Sequence, residues 1–269
     1  MKPAPFEYHA PETLDEVLRL KSELGPETSV LAGGQSLVPM LNMRLAAPEA
    51  LIDLRKLDEL RYVNVADDAV VVGAMTTHRA LERSDAACSA CPLIREALRL
   101  VAHAIVRNRG TIGGSVAHAD PAAELPSVLV ALGGKVKARS LRGEREIAAA
   151  DLFTFHFTTS LEPDELLTEI SFPALEKGAG SAFLEISRRH GDYALAGAAC
   201  VVSNGNTRLA FTGVGPIPVF VEGDDPDAAA AATSPSDDIH ATADYRRQLV
   251  RVLTTRAVGL ARERAQVSG

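Results

Sequence analysis

Tryptophan is absent from this chain, and aromatic residues of all kinds make up only 4% of it. That argues against the aromatic stacking platform on which proteins hold unpaired bases. Positive charge is also scarce: 28 Lys and Arg face 35 Asp and Glu, for a net charge of −7. No basic face is available to neutralise a phosphate backbone, so no nucleic-acid partner is expected. Three cysteines in 269 residues do not make a disulfide framework. No apolar run is long enough to cross a bilayer, and residues 1–9 lack the basic and apolar regions of a secretory signal. These absences predict a cytoplasmic chain with reduced thiols and no membrane span.

What is present, 46% hydrophobic and 23% charged residues, suits an ordinary folded protein of one large or several small domains. Thr13-Leu-Asp-Glu16 reads as a capping box opening a helix. Leu14, Val17, Leu18 and Leu24 fall on one face of that helix with charges opposite, and Gly25-Pro26 ends it. A strand from Thr28 to Leu31 and another from Ala50 to Leu54 make this a β–α–β start, with 40–45 between them as a helical turn or a loop. Residues 61–65 and 69–73 read as strands joined at Asp67-Asp68. Short helical spacing follows at 77–83, and a longer helix is expected over 92–106, with Val101 and Ile105 on its apolar face. A small-residue helix is expected over 121–132 and strands over 135–139 and 166–172. Residues 175–180 look like a boundary. Beyond it, strands at 181–187, 194–202 and 208–214, with an Asn204-Gly205 hairpin turn, lead through an acidic loop at 222–238 to a final amphipathic helix over 240–266.

Two glycine pairs interrupt this pattern. Gly33-Gly34 follows the strand 28–31, and Gly113-Gly114 follows the helix at 92–106. Glycine lacks a Cβ, so the chain there can bend into φ > 0 and lie against a ligand, and consecutive bare N–H groups form a nest for an anion. A glycine pair after a strand is also ordinary turn chemistry. Two such pairs together suit one diphosphate gripped from two sides.

The surrounding residues carry a more specific resemblance. Ala32-Gly-Gly-Gln-Ser-Leu37 and Asn108-Arg-Gly-Thr-Ile-Gly-Gly-Ser-Val-Ala-His-Ala-Asp-Pro-Ala-Ala-Glu-Leu-Pro126 resemble the two FAD motifs of the molybdenum hydroxylases, and Ser187-Arg-Arg-His-Gly-Asp-Tyr-Ala194 resembles that family's Arg-rich turn ending in an aromatic residue. More narrowly, the chain is similar to their medium, flavin-binding subunit, as in aerobic carbon monoxide dehydrogenase. The resemblance implies an α+β fold of the vanillyl-alcohol-oxidase and xanthine-dehydrogenase type: FAD-binding lobes over 1–57 and 58–176, and a C-terminal α+β lobe over 177–269. It implies that Ala32, Gly33, Gly34, Gln35, Ser36 and Leu37 hold FAD from one side, and Thr111, Ile112, Gly113, Gly114 and Ser115 from the other. Glu124 would accept from a ribityl hydroxyl, Leu167 would give an apolar contact to the ring system, and Tyr193 would lie against the isoalloxazine. Partner subunits would carry molybdopterin and two [2Fe-2S] clusters, in a dimer of heterotrimers, and FAD here would pass electrons to an external acceptor. The alternative is a stand-alone FAD oxidase or reductase of the same superfamily. A binding module that has lost its flavin is a third reading, which the intact glycine segments oppose.

Two departures bear on the chemistry. Leu184 stands where xanthine-dehydrogenase relatives have a lysine near the flavin, and Gln35 stands where covalent flavoproteins of the wider fold have histidine, so non-covalent FAD is expected. Cys88-Ser-Ala-Cys91 is a CxxC, but Cys200 alone does not complete a four-ligand site, and ordinary thiols are expected there. His118 and Asp120 are expected to shape their loop, and His78, His103 and His156 to be structural or on the surface. Arg107 and Arg109 balance a diphosphate or are solvated. Arg188 and Arg189 face the flavin or a subunit contact.

Overall fold

Short β-branched runs separated by Ser/Thr-capped helices build the chain in three steps. The computed structural model describes residues 2–66 and 68–267. The first lobe runs β1 (Glu7–His9), α1 (Leu14–Leu24), β2 (Thr28–Leu31), α2 (Leu37–Met43) and β3 (Ala50–Asp53). Its strands form a parallel sheet in the order β1-β3-β2, with all four residues of the central β3 buried. Parallel neighbours require a crossover, and α2 supplies it between β2 and β3. Residues 40–45, open as a turn or a loop in sequence, thus lie largely in a helix.

The second lobe contains β4 (Val63–Val65), β5 (Ala69–Gly73), α3 (His78–Glu82), α4 (Asp85–Ala90), α5 (Pro92–Leu100), α6 (Ala104–Arg107), α7 (Ile112–His118) and α8 (Glu124–Leu132). It continues with β6 (Lys135–Ser140), β7 (Gly143–Ala148), α9 (Ala149–Leu152), β8 (Phe153–Phe155), β9 (Thr158–Thr159) and β10 (Leu166–Pro173). An antiparallel sheet of order β4-β5-β10-β6-β7 is its backbone. β4 and β5 pair as expected on either side of Asp67-Asp68, although Asp67 itself lies outside the described residues. The third lobe is β11 (Gly180–Ser187), β12 (Ala194–Ser203), β13 (Asn206–Thr212), β14 (Val219–Glu222), α10 (Pro226–Ala232) and α11 (Ala243–Val267). Its strands form an antiparallel sheet in chain order, with α11 packed across β11 and β12.

The lobes are joined through α8. Every residue of α8 is buried, because it touches α5 on one side and β10, β12 and β13 on others. One continuous core carries Leu129 of α8, Leu98 of α5, Phe172 of β10 and Phe183, Val201 and Ala210 of the third lobe. Helix α8 is therefore held from two lobes at once, and whatever its first residue carries is fixed rigidly.

Four expectations are corrected. The helix expected over 92–106 breaks after Leu100: Ala102 takes φ 42°, a left-handed conformation costly for a residue with a Cβ, and Ile105 is exposed. The second glycine pair is no open loop but the first turn of α7, capped by the Thr111 hydroxyl, which accepts from the Gly114 N–H at 3.1 Å. The acidic stretch 222–238 carries α10, capped by Asp225, and puts Ala229 and Ala230 in the core. Its Asp224 and Asp227 pair with Arg262 and Arg251 of α11. Finally, the buried face of α1 is Leu14, Val17, Leu18 and Lys21. A lysine thus occupies a turn of the apolar stripe expected to carry no charge.

Candidate functional site

A cleft of about 750 Å³ opens between the lobes, within the size range of small-molecule sites. Ala32, Gly33, Gly34, Gln35, Ser36 and Leu37 line it, together with Thr111, Gly113, Gly114, Ser115, Glu124, Leu167 and Tyr193. The fold thus gathers thirteen of the fourteen residues named from sequence around one space. Ile112 is the exception: it points from α7 into the core and is fully buried there.

The two glycine pairs do different work. Gly34 takes φ 72°, the turn that carries β2 into α2. In that turn the main-chain N–H groups of Gly34, Gln35 and Ser36 donate to no acceptor within the described residues. The Gln35 amide folds back instead, donating to the Gly33 carbonyl at 3.2 Å. In the second pair every early N–H is already used. Ile112 donates to the Thr76 carbonyl, Gly113 to that of Ala74, both at 2.9 Å, and Gly114 to the Thr111 hydroxyl. Unspent donors therefore come from the first segment. The second contributes small surface and the hydroxyls of Thr111 and Ser115.

Glycine at Gly33 and Gly113 is required by the protein's own packing. A Cβ on Gly33 would lie 2.3 Å from the Arg109 carbonyl oxygen, and one on Gly113 would lie 2.5 Å from the Ala74 Cβ. Both distances are far inside van der Waals contact. The glycines let the two segments and β5's end approach closely, so that the cleft is narrow at that point.

The floor near α8 is acidic. Burial, then the nearby Glu185, pushes the Glu124 carboxyl up to about 8, and burial pushes Glu185 up to about 7. At neutral pH Glu124 can both donate and accept a hydrogen bond. The segment before it is clamped by the third lobe: the Thr212 hydroxyl lies 2.7 Å from the Pro121 carbonyl and 2.8 Å from that of Ala123. Asp120 shapes the same segment by accepting from the Ala122 N–H at 2.9 Å. Tyr193 is 63% exposed at the cleft's mouth, with its hydroxyl beside Asp120 and Ser36.

Of the remaining sequence candidates, His78, His118 and Asp120 also line the cleft and the others fall outside it. Arg107 is buried, holding Glu82 at 3.2 Å and the carbonyls of Val101 and Ala102 at 2.9 Å each. Arg107 and Arg109 do not line the cleft, and neither do Arg188 and Arg189, which contact His240 and Asp192. Leu184 packs against the core beneath α11. Cys88 and Cys91 are buried, and burial raises both thiols, Cys91 to about 12, which leaves them un-ionised and poorly nucleophilic. His78, buried behind Gly110, is pushed down to about 4 by burial and stays neutral. The sequence reading missed the cleft-lining Lys21, Val101 and Ala102. For Lys21 a signal existed, since positions 14, 17, 18 and 21 share one helical face.

A two-sided cleft with free main-chain donors at a β–α turn, and a third lobe over one end, defines a flavin-nucleotide-binding class of fold. Residues 4–175 match the family described as the FAD binding domain in molybdopterin dehydrogenase, and the chain belongs to that family as an FAD-binding subunit of molybdenum hydroxylases. It is 39% identical to the 6-hydroxypseudooxynicotine dehydrogenase complex subunit alpha of Paenarthrobacter nicotinovorans, over 99% of this chain and 97% of that one. It is 36% identical to the carbon monoxide dehydrogenase medium chain of Hydrogenophaga pseudoflava, over 97% of this chain and 98% of the relative. The fold matches a solved structure of that organism's carbon monoxide dehydrogenase, lacking the Mo-pyranopterin moiety of its cofactor, with a TM-score of 0.93 at 36% identity, covering 98% of this chain and 99% of that one. Quinoline 2-oxidoreductase from Pseudomonas putida 86 matches with a TM-score of 0.89 at 34% identity, covering 100% and 99%. Among the described residues no helix is long and apolar enough to cross a membrane.

Proposed function

We propose that this chain holds FAD non-covalently in the cleft and is the electron outlet of a cytoplasmic complex. In that complex a molybdopterin subunit oxidises the substrate and a [2Fe-2S] subunit relays its electrons, the whole being a dimer of heterotrimers. The observation that carries the reading is the set of unspent N–H groups of Gly34, Gln35 and Ser36 facing a cleft large enough for a dinucleotide. When bound, FAD supplies the redox chemistry. The chain's own residues bind, orient and exclude water.

On this reading the first segment, Ala32 to Leu37, donates to the diphosphate through its main chain. Thr111 and Ser115 supply hydroxyls from the facing helix, and Gly113 and Gly114 leave room for the cofactor to pass. Glu124 takes a ribityl hydroxyl. Leu167, 4% exposed on β10, gives a ring an apolar wall, and Tyr193 covers the isoalloxazine from the third lobe. The three lobes at 1–57, 58–176 and 177–269 are the units of this arrangement. The relatives named as medium chain and complex subunit support a multi-subunit assembly.

The test is purification of the tagged chain from its native host. A yellow preparation whose flavin is released by acid and migrates as FAD, with two further subunits retained, is the expected result. A colourless chain that stays colourless after FAD addition overturns the cofactor assignment. A yellow chain that oxidises a substrate alone overturns the partner assignment.

A further inference from the structure

Lys21 is 9% exposed on the last turn of α1, yet it lines the cleft. Among the described lining residues it is the only lysine or arginine. Its ammonium makes no hydrogen bond or ion pair within the described residues. The carboxylate whose charge acts on it, Asp164, is already held by Arg142 at 2.6 Å. Glu165, across the same turn, is held by Arg145 at 2.6 Å. Burying an unpaired ammonium is expensive, and burial accordingly lowers the Lys21 pKa from its ordinary value. An aliphatic residue would continue the stripe of Leu14, Val17 and Leu18 at no such cost. A lysine kept there despite the cost, with donors and no acceptor of its own, suits a ligand that brings the acceptor.

Which part of the ligand it meets follows from its walls. Val30, Leu54, Met75 and Leu166 line the cleft and belong to, or pack against, the core beneath α1. Tyr193 is instead surrounded by Ser36, Asp120 and Glu124. The two neighbourhoods share no residue, and the free N–H groups of Gly34, Gln35 and Ser36 lie in the turn that leads from Val30's strand toward Tyr193's neighbour Ser36. A cofactor with its flavin against Tyr193 and its diphosphate at that turn leaves the Lys21 end for the adenosine.

Resting on the proposed FAD site, the geometry points to Lys21 as a binding residue for the ADP half of the cofactor, its ammonium donating to an acceptor atom of the adenosine diphosphate. The test compares the full-length flavin-free chain with Lys21→Met, which keeps the stem and removes the donors. Binding of FAD, ADP and FMN is measured by calorimetry, and thermal melts are recorded without ligand. Lys21→Met is expected to bind FAD and ADP about tenfold more weakly, or worse, to bind FMN as the wild type does, and to melt no lower than the wild type. Unchanged ADP affinity overturns the inference, as does an equal loss for FMN, or a lower melting temperature that marks the lysine as structural. A wild-type chain that binds neither FAD nor ADP fails at the earlier step, and the cofactor reading falls with it.

Discussion

Gly33 and Gly110 stand so close that a Cβ on Gly33 would lie 2.8 Å from the Gly110 Cα, with the Arg109 carbonyl closer still. Two main-chain segments from different lobes are thereby pressed together at the neck of the cleft. The glycine is needed first for that contact and only second for the ligand.

Gly33→Val should therefore destabilise the chain even when no flavin is present. Overpacking against main chain has no flexible side chain to absorb it, and a loss of about 2 kcal/mol or more is expected. Ser36→Ala, by contrast, removes a hydroxyl that does not cap α2 and whose neighbour is the exposed Tyr193 hydroxyl at the cleft's mouth, and should leave the flavin-free melt nearly unchanged. Melting both variants without FAD separates the cases. A Gly33→Val chain that melts like the wild type would contradict the packing role.

Glu124 should make stability fall as pH rises. Its folded-state carboxyl, at about 8, lies above the ordinary value of 4.5, so the folded chain holds a proton that the unfolded chain gives up. The favourable contribution is complete below about pH 4.5 and is lost progressively as pH climbs through about 8. The facing groups are Glu185 and Asp120, which raise the value further, and Arg107, which opposes them. Glu124→Gln is neutral at every pH and should flatten much of this slope, matching the wild type near pH 4.5 and becoming the more stable of the two as pH rises. Urea unfolding of both chains from pH 5 to 9 is the measurement, and parallel slopes would sink the idea.

How much of this could be read from the chain depended on whether the signal was local. Thr13, the β–α–β start and the strands of the third lobe announced themselves through capping and alternation, and the motifs at 32–37 and 108–126 located the cleft. The break at Ala102 did not, because residues 92–106 keep helical spacing and the left-handed turn is imposed by tertiary contacts: Arg107 reaches back to the Val101 and Ala102 carbonyls. The use of Gly113's N–H by Ala74 was equally hidden, since β5's end is forty residues away in sequence. Lys21 was legible in spacing but was read as surface charge, the usual place for lysine.

Arg107 should be a stability residue and not a phosphate contact. It is buried against Glu82 and holds the two carbonyls that follow α5. Arg107→Met leaves the Glu82 carboxylate with only Arg79 and frees both carbonyls, so a loss of about 3 kcal/mol is expected. Denaturant midpoints measure it. If the variant keeps its stability but loses FAD, Arg107 belongs to the cofactor after all.

Thr212 ties the third lobe to the segment that positions Glu124. Its hydroxyl has a single proton to donate, placed between the Pro121 and Ala123 carbonyls, and the residue is fully buried. Thr212→Val preserves shape and removes that donor, leaving the buried Ala123 carbonyl short of a partner while Pro121 keeps the Gly213 N–H, which should cost about 1–2 kcal/mol. Because Ala123 immediately precedes α8, the loss should also loosen Glu124 and weaken FAD binding several-fold, whereas Thr212→Ser, which keeps the hydroxyl, should restore most of the affinity. Equal FAD affinity in Thr212→Val and the wild type would show that the clamp stabilises the fold without setting the cleft. A joint loss of stability and affinity, rescued by serine, would show that the third lobe helps to build the cofactor site by holding its acidic floor in place.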